Sequence, residues 1–360
     1  MSRRVLLFTL ACALAAPASS ASMPPPVEPG GRQPTTPPRS AQSGRSWAQN
    51  EIRYVVGRGL MSKSVATFRP NDALTQGELA ALVAGLTNRP VQAAVGASTP
   101  VTITQLDARL VGALGLGNAA AGFQRGARAA GLAPPARFGT EVVARLLGLR
   151  TNHPAAQDDL ELLPSDPSTR AEAAYSAARI LRFQGWEIQS VKTAAAGFAP
   201  EQASPWERRI LATAVRLIGY PYVWGGTSEG PEAPFHIAAR GGFDCSGFVW
   251  RVYKLQPYSG GAALSATLRG RTTFAMSGEV PRAKRIPFAH LAPADVVFFG
   301  ANGPSSKPAL VDHAGIYLGG GWIIHSSSHG VALDQLRGWY RARFAWARRP
   351  LAEAALEPAR

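Results

Sequence analysis

Residues 243–249 read Phe243-Asp244-Cys245-Ser246-Gly247-Phe248-Val249 (FDCSGFV), a cysteine held where a glycine-containing loop meets an apolar, helix-forming stretch. Asp is a favoured N-cap, so Asp244 predicts a helix whose first turn contains Cys245. The helix dipole and the free first-turn amides stabilise a thiolate there. A thiol of ordinary pKa is only about 3% ionised at neutral pH, and lowering that pKa to about 6 takes roughly 2 kcal/mol. A cysteine in this setting is a candidate nucleophile and needs a base brought from elsewhere in the chain.

The base is sought downstream, where the pattern turns to strands: DVVFFG at 295–300, HAGIYLG at 313–319, WIIHSSS at 322–328 and RFAWARRP at 343–350. His313 opens one of these strands and His325 lies in the next, with Gly319-Gly320-Gly321 as the turn. A three-residue loop pairs Tyr317 with Gly321 and sets His313 opposite His325 on one face. Ala314, Ile316 and Leu318 then enter the core. His313 is the candidate general base and His325 the polar group that orients it. Upstream, Ile210, Leu211, Ala214, Leu217 and Ile218 form one apolar helix face stopped by Gly219 and Pro221. Helices first and an antiparallel sheet after predict an α+β domain over 206–349, with a cysteine helix packed on the sheet and a tail at 350–360.

Five blocks in this order, YPYVWGG at 220–226, FDCSGFV, PADVVFFG at 293–300, DHAGIYLG at 312–319 and WIIHSSS, resemble the motif series of NlpC-type papain-like cell-wall cysteine peptidases. The resemblance implies a papain-like fold and cleavage of γ-D-glutamyl–diamino acid bonds in peptidoglycan stem peptides, with no metal or organic cofactor. It implies Cys245 as nucleophile, His313 as base and His325 as the third member. Tyr222, Asp244 and Ser246 match substrate-pocket positions, and Arg271-Thr272-Thr273 matches a structural segment. Residues 227–242 and 257–270 are longer than the family's usual links. A wall-binding protein without turnover, or an amidase or transferase on the same fold, are the alternatives this leaves open.

The preceding half is Ala- and Leu-rich with helical periodicity from Trp47 to Ile188, and 189–205 reads as a linker. Thr75–Glu78 and Thr169–Glu172 each have the T-x-x-E form of a capping box, and a degraded middle copy begins near Gly139-Thr140-Glu141. With the stretch WAQNEIRYVVGRGLMSKSVATFRPNDAL at 47–74, these repeats resemble S-layer homology modules. That likeness implies an all-α wall-attachment region at 47–188.

Residues 22–46, rich in Pro, Gly, Ser and Arg, read as an extended spacer. Arg3-Arg4, the apolar run Val5–Ala16 and the small residues to Ala21 read as a secretory signal peptide, with a hint of twin-arginine export. No later stretch approaches the 18 apolar residues a spanning helix needs, so an extracytoplasmic, cell-wall location is expected. Cys12 leaves with the signal peptide, so Cys245 is the one thiol of the mature chain and has no disulfide partner in it. Lys and Arg number 38 against 23 Asp and Glu, a net charge of +15 that favours polyanions. Charge alone does not choose among nucleic acid, acidic lipid and an anionic wall. The basic residues are spread along the chain without a nucleic-acid motif, and the family resemblances imply anionic wall polymers as the partner. His325 and His329 are four apart, but a strand carries that spacing roughly 13 Å, too far for one metal ion. His153, His236 and His290 are expected in exposed loops.

Overall fold

The computed structural model describes residues 46–153 and 161–358; the signal-peptide reading, and the spacer reading up to residue 45, fall outside them. Among the described residues of the first half there are seven helices: α1 (Gln49–Gly57), α2 (Gln76–Thr87), α3 (Ile103–Ala113), α4 (Gly117–Ala129), α5 (Phe138–Leu146), α6 (Arg170–Leu181) and α7 (Gly185–Ala196). Three of them start alike. The residues entering α2, α3 and α6 close a ring of main-chain hydrogen bonds, from Leu74 to Ser168, Ser168 to Val101 and Val101 to Leu74, at 2.7–2.8 Å. Thr75 and Thr102 then cap α2 and α3 with complete capping boxes, through Glu78 and Gln105.

This ring corrects two expectations. The middle repeat begins at Thr102, where glutamine stands in for glutamate, and not near Gly139; α5 has no side-chain cap and carries Glu141 into the interior. At Thr169 the box is only half made: its hydroxyl accepts from the Glu172 amide, but the Glu172 carboxylate turns inward to Arg150 at 2.6 Å and His153 at 2.7 Å. His153 is accordingly buried and stacked on Trp47 at 3.7 Å, in place of the exposed loop position expected for it.

The expected linker at 189–205 is helical over its first part, and only 197–204 connects without helix or strand. Most of its first half completes α7, whose start is fixed by Glu187 accepting from the Gln184 amide at 2.7 Å and whose Ala194 and Ala195 are buried. Phe198 follows, buried in an aromatic group with Phe123 of α4 and Trp322 of the sheet, ring centroids 5.1–5.7 Å apart. Spacing read from sequence misses this, because an Ala-rich amphipathic turn and a polar linker differ only in what they touch.

The second half opens with α8 (Pro205–Arg216), capped by Ser204 with Glu207. A two-stranded ribbon, β1 (Thr227–Ser228) and β2 (Gly242–Phe243), leads into α9 (Cys245–Trp250), which continues as a π-helical turn over Arg251–Leu255. After α10 (Thr273–Gly278) come β3 (Val296–Gly300), β4 (Val311–Gly319), β5 (Trp322–Ser327), β6 (Gly330–Gln335), α11 (Gly338–Arg343), β7 (Phe344–Arg348) and α12 (Pro350–Glu353). The sheet is antiparallel throughout, in the order β6-β5-β4-β3-β7. The expected α+β architecture, preceded by an all-α region, is present.

Both sheet faces are covered. Ala314, Ile316 and Leu318 lie in a core continuous with α8, α9 and the helical half. Val297, Phe299, Tyr317 and Ile323 face a second apolar cluster closed by Tyr340 of α11. The alternation is as read from sequence, but the register differs. Gly315 pairs with His325 and Tyr317 with Ile323, because a shift between Tyr317 and Gly319 shortens the expected loop by bringing Trp322 opposite Gly319. His313 therefore sits two residues from its expected partner and pairs with Phe299 of β3. An offset of two keeps it on the same face as His325.

Candidate active site

The start of α9 is set by Asp244 in extended backbone, with the Gly247 amide donating to Oδ1 at 2.5 Å. The rest of that carboxylate is occupied too. Ser246 Oγ donates to Oδ1 at 3.0 Å and the Gly225 amide to Oδ2 at 2.9 Å. Arg271 reaches Oδ1 at 3.1 Å and Oδ2 at 3.2 Å, and spans to Ser246 Oγ at 2.7 Å and to the Gly225 and Gly226 carbonyls at 3.0 and 3.2 Å. Asp244 and Ser246 are buried and knit the Trp224-Gly225-Gly226 loop to the cysteine helix, with Arg271 at the centre. Close packing is built in: a Cβ at Gly247 would overlap the Gly226 carbonyl oxygen. Thr273, the residue two beyond Arg271, donates to the Val311 carbonyl at 2.8 Å and so ties the same unit to the first residue of β4.

Cys245 is half-buried, a thiol outside any disulfide whose Sγ lies 4.0 Å from the Asp312 carbonyl oxygen, one residue before His313. Beyond it the side chains form a line. His313 Nε2 is 2.8 Å from His325 Nδ1, and His325 Nε2 is 2.9 Å from Asp334 Oδ2 on β6. Tyr340 Oη closes over the end of the line, 3.3 Å from His325 Nε2 and 3.4 Å from Asp334 Oδ2. Both histidines are buried, and the Phe299 and Tyr340 rings stand 5.7 and 6.4 Å from the His313 ring. Burial, reinforced by the positive charge of Arg343, pushes the His313 imidazole well below its usual range, so it is neutral and able to accept a proton at neutral pH. Burial alone would raise the Asp334 carboxyl. The hydrogen bond from His325, with a weaker one from Tyr340, outweighs it and holds Asp334 below the usual carboxylate range.

Five of the six residues singled out from sequence therefore come together in two linked groups: Asp244 and Ser246 around the helix start, and His313 and His325 along the sheet, with Cys245 at the junction. Tyr222 is buried one strand-bridge away, paired with Phe243. Asp334 and Tyr340 were not foreseen. Their only sequence signal is an acid in the otherwise apolar strand Val331-Ala332-Leu333-Asp334. The added segment 227–242 places Phe235 against Gly225, with the Phe235 and His236 backbones both at positive φ (51° and 67°). The other added stretch, 257–270, packs away against Trp206 of α8 and Arg348 of β7. Among the described residues no group of three or more His, Cys, Asp or Glu is arranged to hold a metal ion. Nor is any described helix long and apolar enough to cross a membrane. Chemically, a thiol against the main chain that leads into a neutral, buried, oriented imidazole is a candidate nucleophile–base pair for acyl transfer.

The NlpC/P60 family model matches residues 219–349, and the S-layer homology domain model matches residues 42–80. The chain is 35% identical over 144 residues to the probable peptidoglycan endopeptidase LytE of Bacillus subtilis, covering 39% of this chain and 34% of that protein. It is 31% identical over 127 residues to the gamma-D-glutamyl-L-lysine dipeptidyl-peptidase of the same organism, 35% of this chain and 34% of that one. The chain thus spans about a third of the length of the curated relatives it matches. A crystal structure of an NlpC/P60 family protein from Bacillus cereus aligns over 42% of each chain at 26% identity with a TM-score of 0.31.

Proposed function

We propose, from the premise of an NlpC/P60 domain at residues 219–349, that this protein is an exported cysteine endopeptidase that hydrolyses the γ-D-glutamyl–diamino acid bond of peptidoglycan stem peptides. The observation that carries this reading is the Cys245 sulfur beside the residue preceding His313, with His313 bonded to His325. Cys245 is the nucleophile. Its proton passes to His313, and the thiolate adds to the scissile carbonyl carbon. First-turn amides of α9 stabilise the oxyanion. The His313 imidazolium then protonates the leaving amine nitrogen as the C–N bond breaks, leaving a thioester on Cys245. Water attacks the thioester while His313 takes its proton, and expulsion of the thiolate releases the new carboxylate. His325 orients His313 through both steps. Tyr222, Asp244 and Ser246 shape the wall that receives the peptide; the saturated hydrogen bonds of Asp244 and Ser246 make that contribution one of holding the loop in place.

The helical region, 47–188, attaches the enzyme to the wall, and the +15 charge supports salt-sensitive binding to anionic wall polymers. The test is incubation of the protein and its Cys245→Ala variant with purified peptidoglycan, followed by mass spectrometry of released fragments. Fragments ending in D-glutamate, produced by the parent and not by the variant, are the expected result. Release by both proteins, or by neither on walls of several compositions, overturns the proposal.

A further inference from the structure

The line of side chains does not stop at the second histidine. His325 Nε2 meets Asp334 Oδ2 at 2.9 Å, and Tyr340 Oη approaches both His325 and Asp334 from α11. An ionised carboxylate can only accept, so the hydrogen between the two belongs to His325 Nε2. A neutral imidazole carries one N–H, which makes His325 Nδ1 an acceptor. Nδ1 faces His313 Nε2 at 2.8 Å, so that nitrogen must be the donor. His313 then carries its hydrogen on Nε2 and its lone pair on Nδ1. Nδ1 is the ring nitrogen nearest the residue's own main chain, and the main chain at Asp312 is where the Cys245 sulfur lies, 4.0 Å from the carbonyl oxygen.

We propose that Asp334 is a positioning residue that fixes the tautomers of both histidines, pointing the basic nitrogen of His313 at Cys245 and stabilising the imidazolium formed there. The inference rests on the nucleophile–base reading of Cys245 and His313, but not on what the enzyme cleaves. With the carboxylate gone, His325 is free to place its hydrogen on Nδ1. His313 Nε2 must then accept, and its own hydrogen moves to Nδ1, where it can no longer take the thiol proton. Tyr340 donates to the half-buried carboxylate and adds a smaller share to the hydrogen bond from His325 that keeps it ionised. The other charged groups around this line are Arg343, which pairs with Asp312 beside the thiol and opposes an imidazolium, and His329, which helps hold Asp334 ionised. That opposition is why an anion at the far end of the line matters: without it, burial and Arg343 act unbalanced on His313.

The experiment measures iodoacetamide alkylation of Cys245 in the full chain from pH 5 to pH 10, for the parent, Asp334→Asn and Tyr340→Phe. Alkylation needs thiolate, so the rate on the acid side of an ordinary thiol's range reports the thiolate–imidazolium pair, whatever the substrate. The expected result for Asp334→Asn is a fall of about tenfold in the acid-side rate relative to the rate at pH 10, which corresponds to about 1.4 kcal/mol. Tyr340→Phe should shift the profile in the same direction by a smaller factor, and it carries the test if Asp334→Asn does not fold. A profile of unchanged shape in every folded variant overturns the proposal, since a merely structural role lowers stability without moving it. A parent that alkylates as expected yet releases no wall fragments would refute the peptidase reading and leave the Asp334 result standing.

Discussion

His313 is buried as a neutral base, and that has a cost in acid. Its folded pKa lies below the ordinary 6.5, so as pH falls beneath 6.5 the unfolded chain binds a proton that the folded one does not. The parent should therefore lose stability relative to His313→Asn on going from pH 7 to pH 5. Urea midpoints of the two proteins at both pH values check this, and a constant difference would contradict a depressed His313. Asp244 makes a second test at the same scale. Removing a carboxylate that holds two amides, a hydroxyl and Arg271 should cost about 2–3 kcal/mol, read as a drop in melting temperature of Asp244→Ala. Cys245, His313 and His325 were legible in the sequence because their local motifs fix both residue type and neighbourhood. Asp334 and Tyr340 were not, since they come from a third strand and a short helix whose only link to the histidines is spatial.

At the level of elements, two glycines with opposite surroundings separate packing from propensity. Gly247 lies in α9 with the Gly226 carbonyl filling the place of a side chain, so Gly247→Ala must push the loop off the cysteine helix. A destabilisation of about 2–3 kcal/mol with loss of activity is expected. Gly112, exposed near the end of α3 with nothing within 4 Å of its missing Cβ, should behave the other way. Gly112→Ala should raise stability by about 0.5–1 kcal/mol and leave activity unchanged. Thermal melts paired with fragment release decide both cases. The alternating pattern of β4 and β5 gave the correct faces from sequence, yet the pairing slipped by two residues. Alternation constrains register only to an even number, and the turn at Gly319-Gly320-Gly321 settles the remainder.

Across the whole molecule, the helical half is not a detachable tether. Arg145 of α5, itself buried, pairs with Glu141 and Glu161 at 3.1 Å and donates to the Gly219 carbonyl at 2.6 Å and to the His329 carbonyl. Asn152 donates to the Ser328 carbonyl at 2.8 Å, and His329 Nδ1 meets the Arg150 carbonyl at 3.1 Å. These bonds grip the β5–β6 turn, which begins just past His325, and the segment that leads to Tyr222. Arg145→Ala would take the paired cation from buried Glu141 and leave Glu161 with Arg150 alone, at 3.3 Å, and is expected to cost about 3–5 kcal/mol, measured by denaturant unfolding. Wall cleavage should fall with it, and a variant of parental stability and activity would show that the halves function separately. Residue identity, capping pattern and strand alternation by themselves determined the α+β class, the cysteine helix, the histidine strands and the repeated helix starts, because each is written in short-range chemistry. Tertiary structure alone decided that 189–196 completes a helix and Phe198 packs in an aromatic group, that Glu172 leaves its cap for Arg150 and His153, and that Asp334 ends the histidine line. Those outcomes depend on which partners arrive from distant parts of the chain, and neither local propensity nor periodicity carries that information.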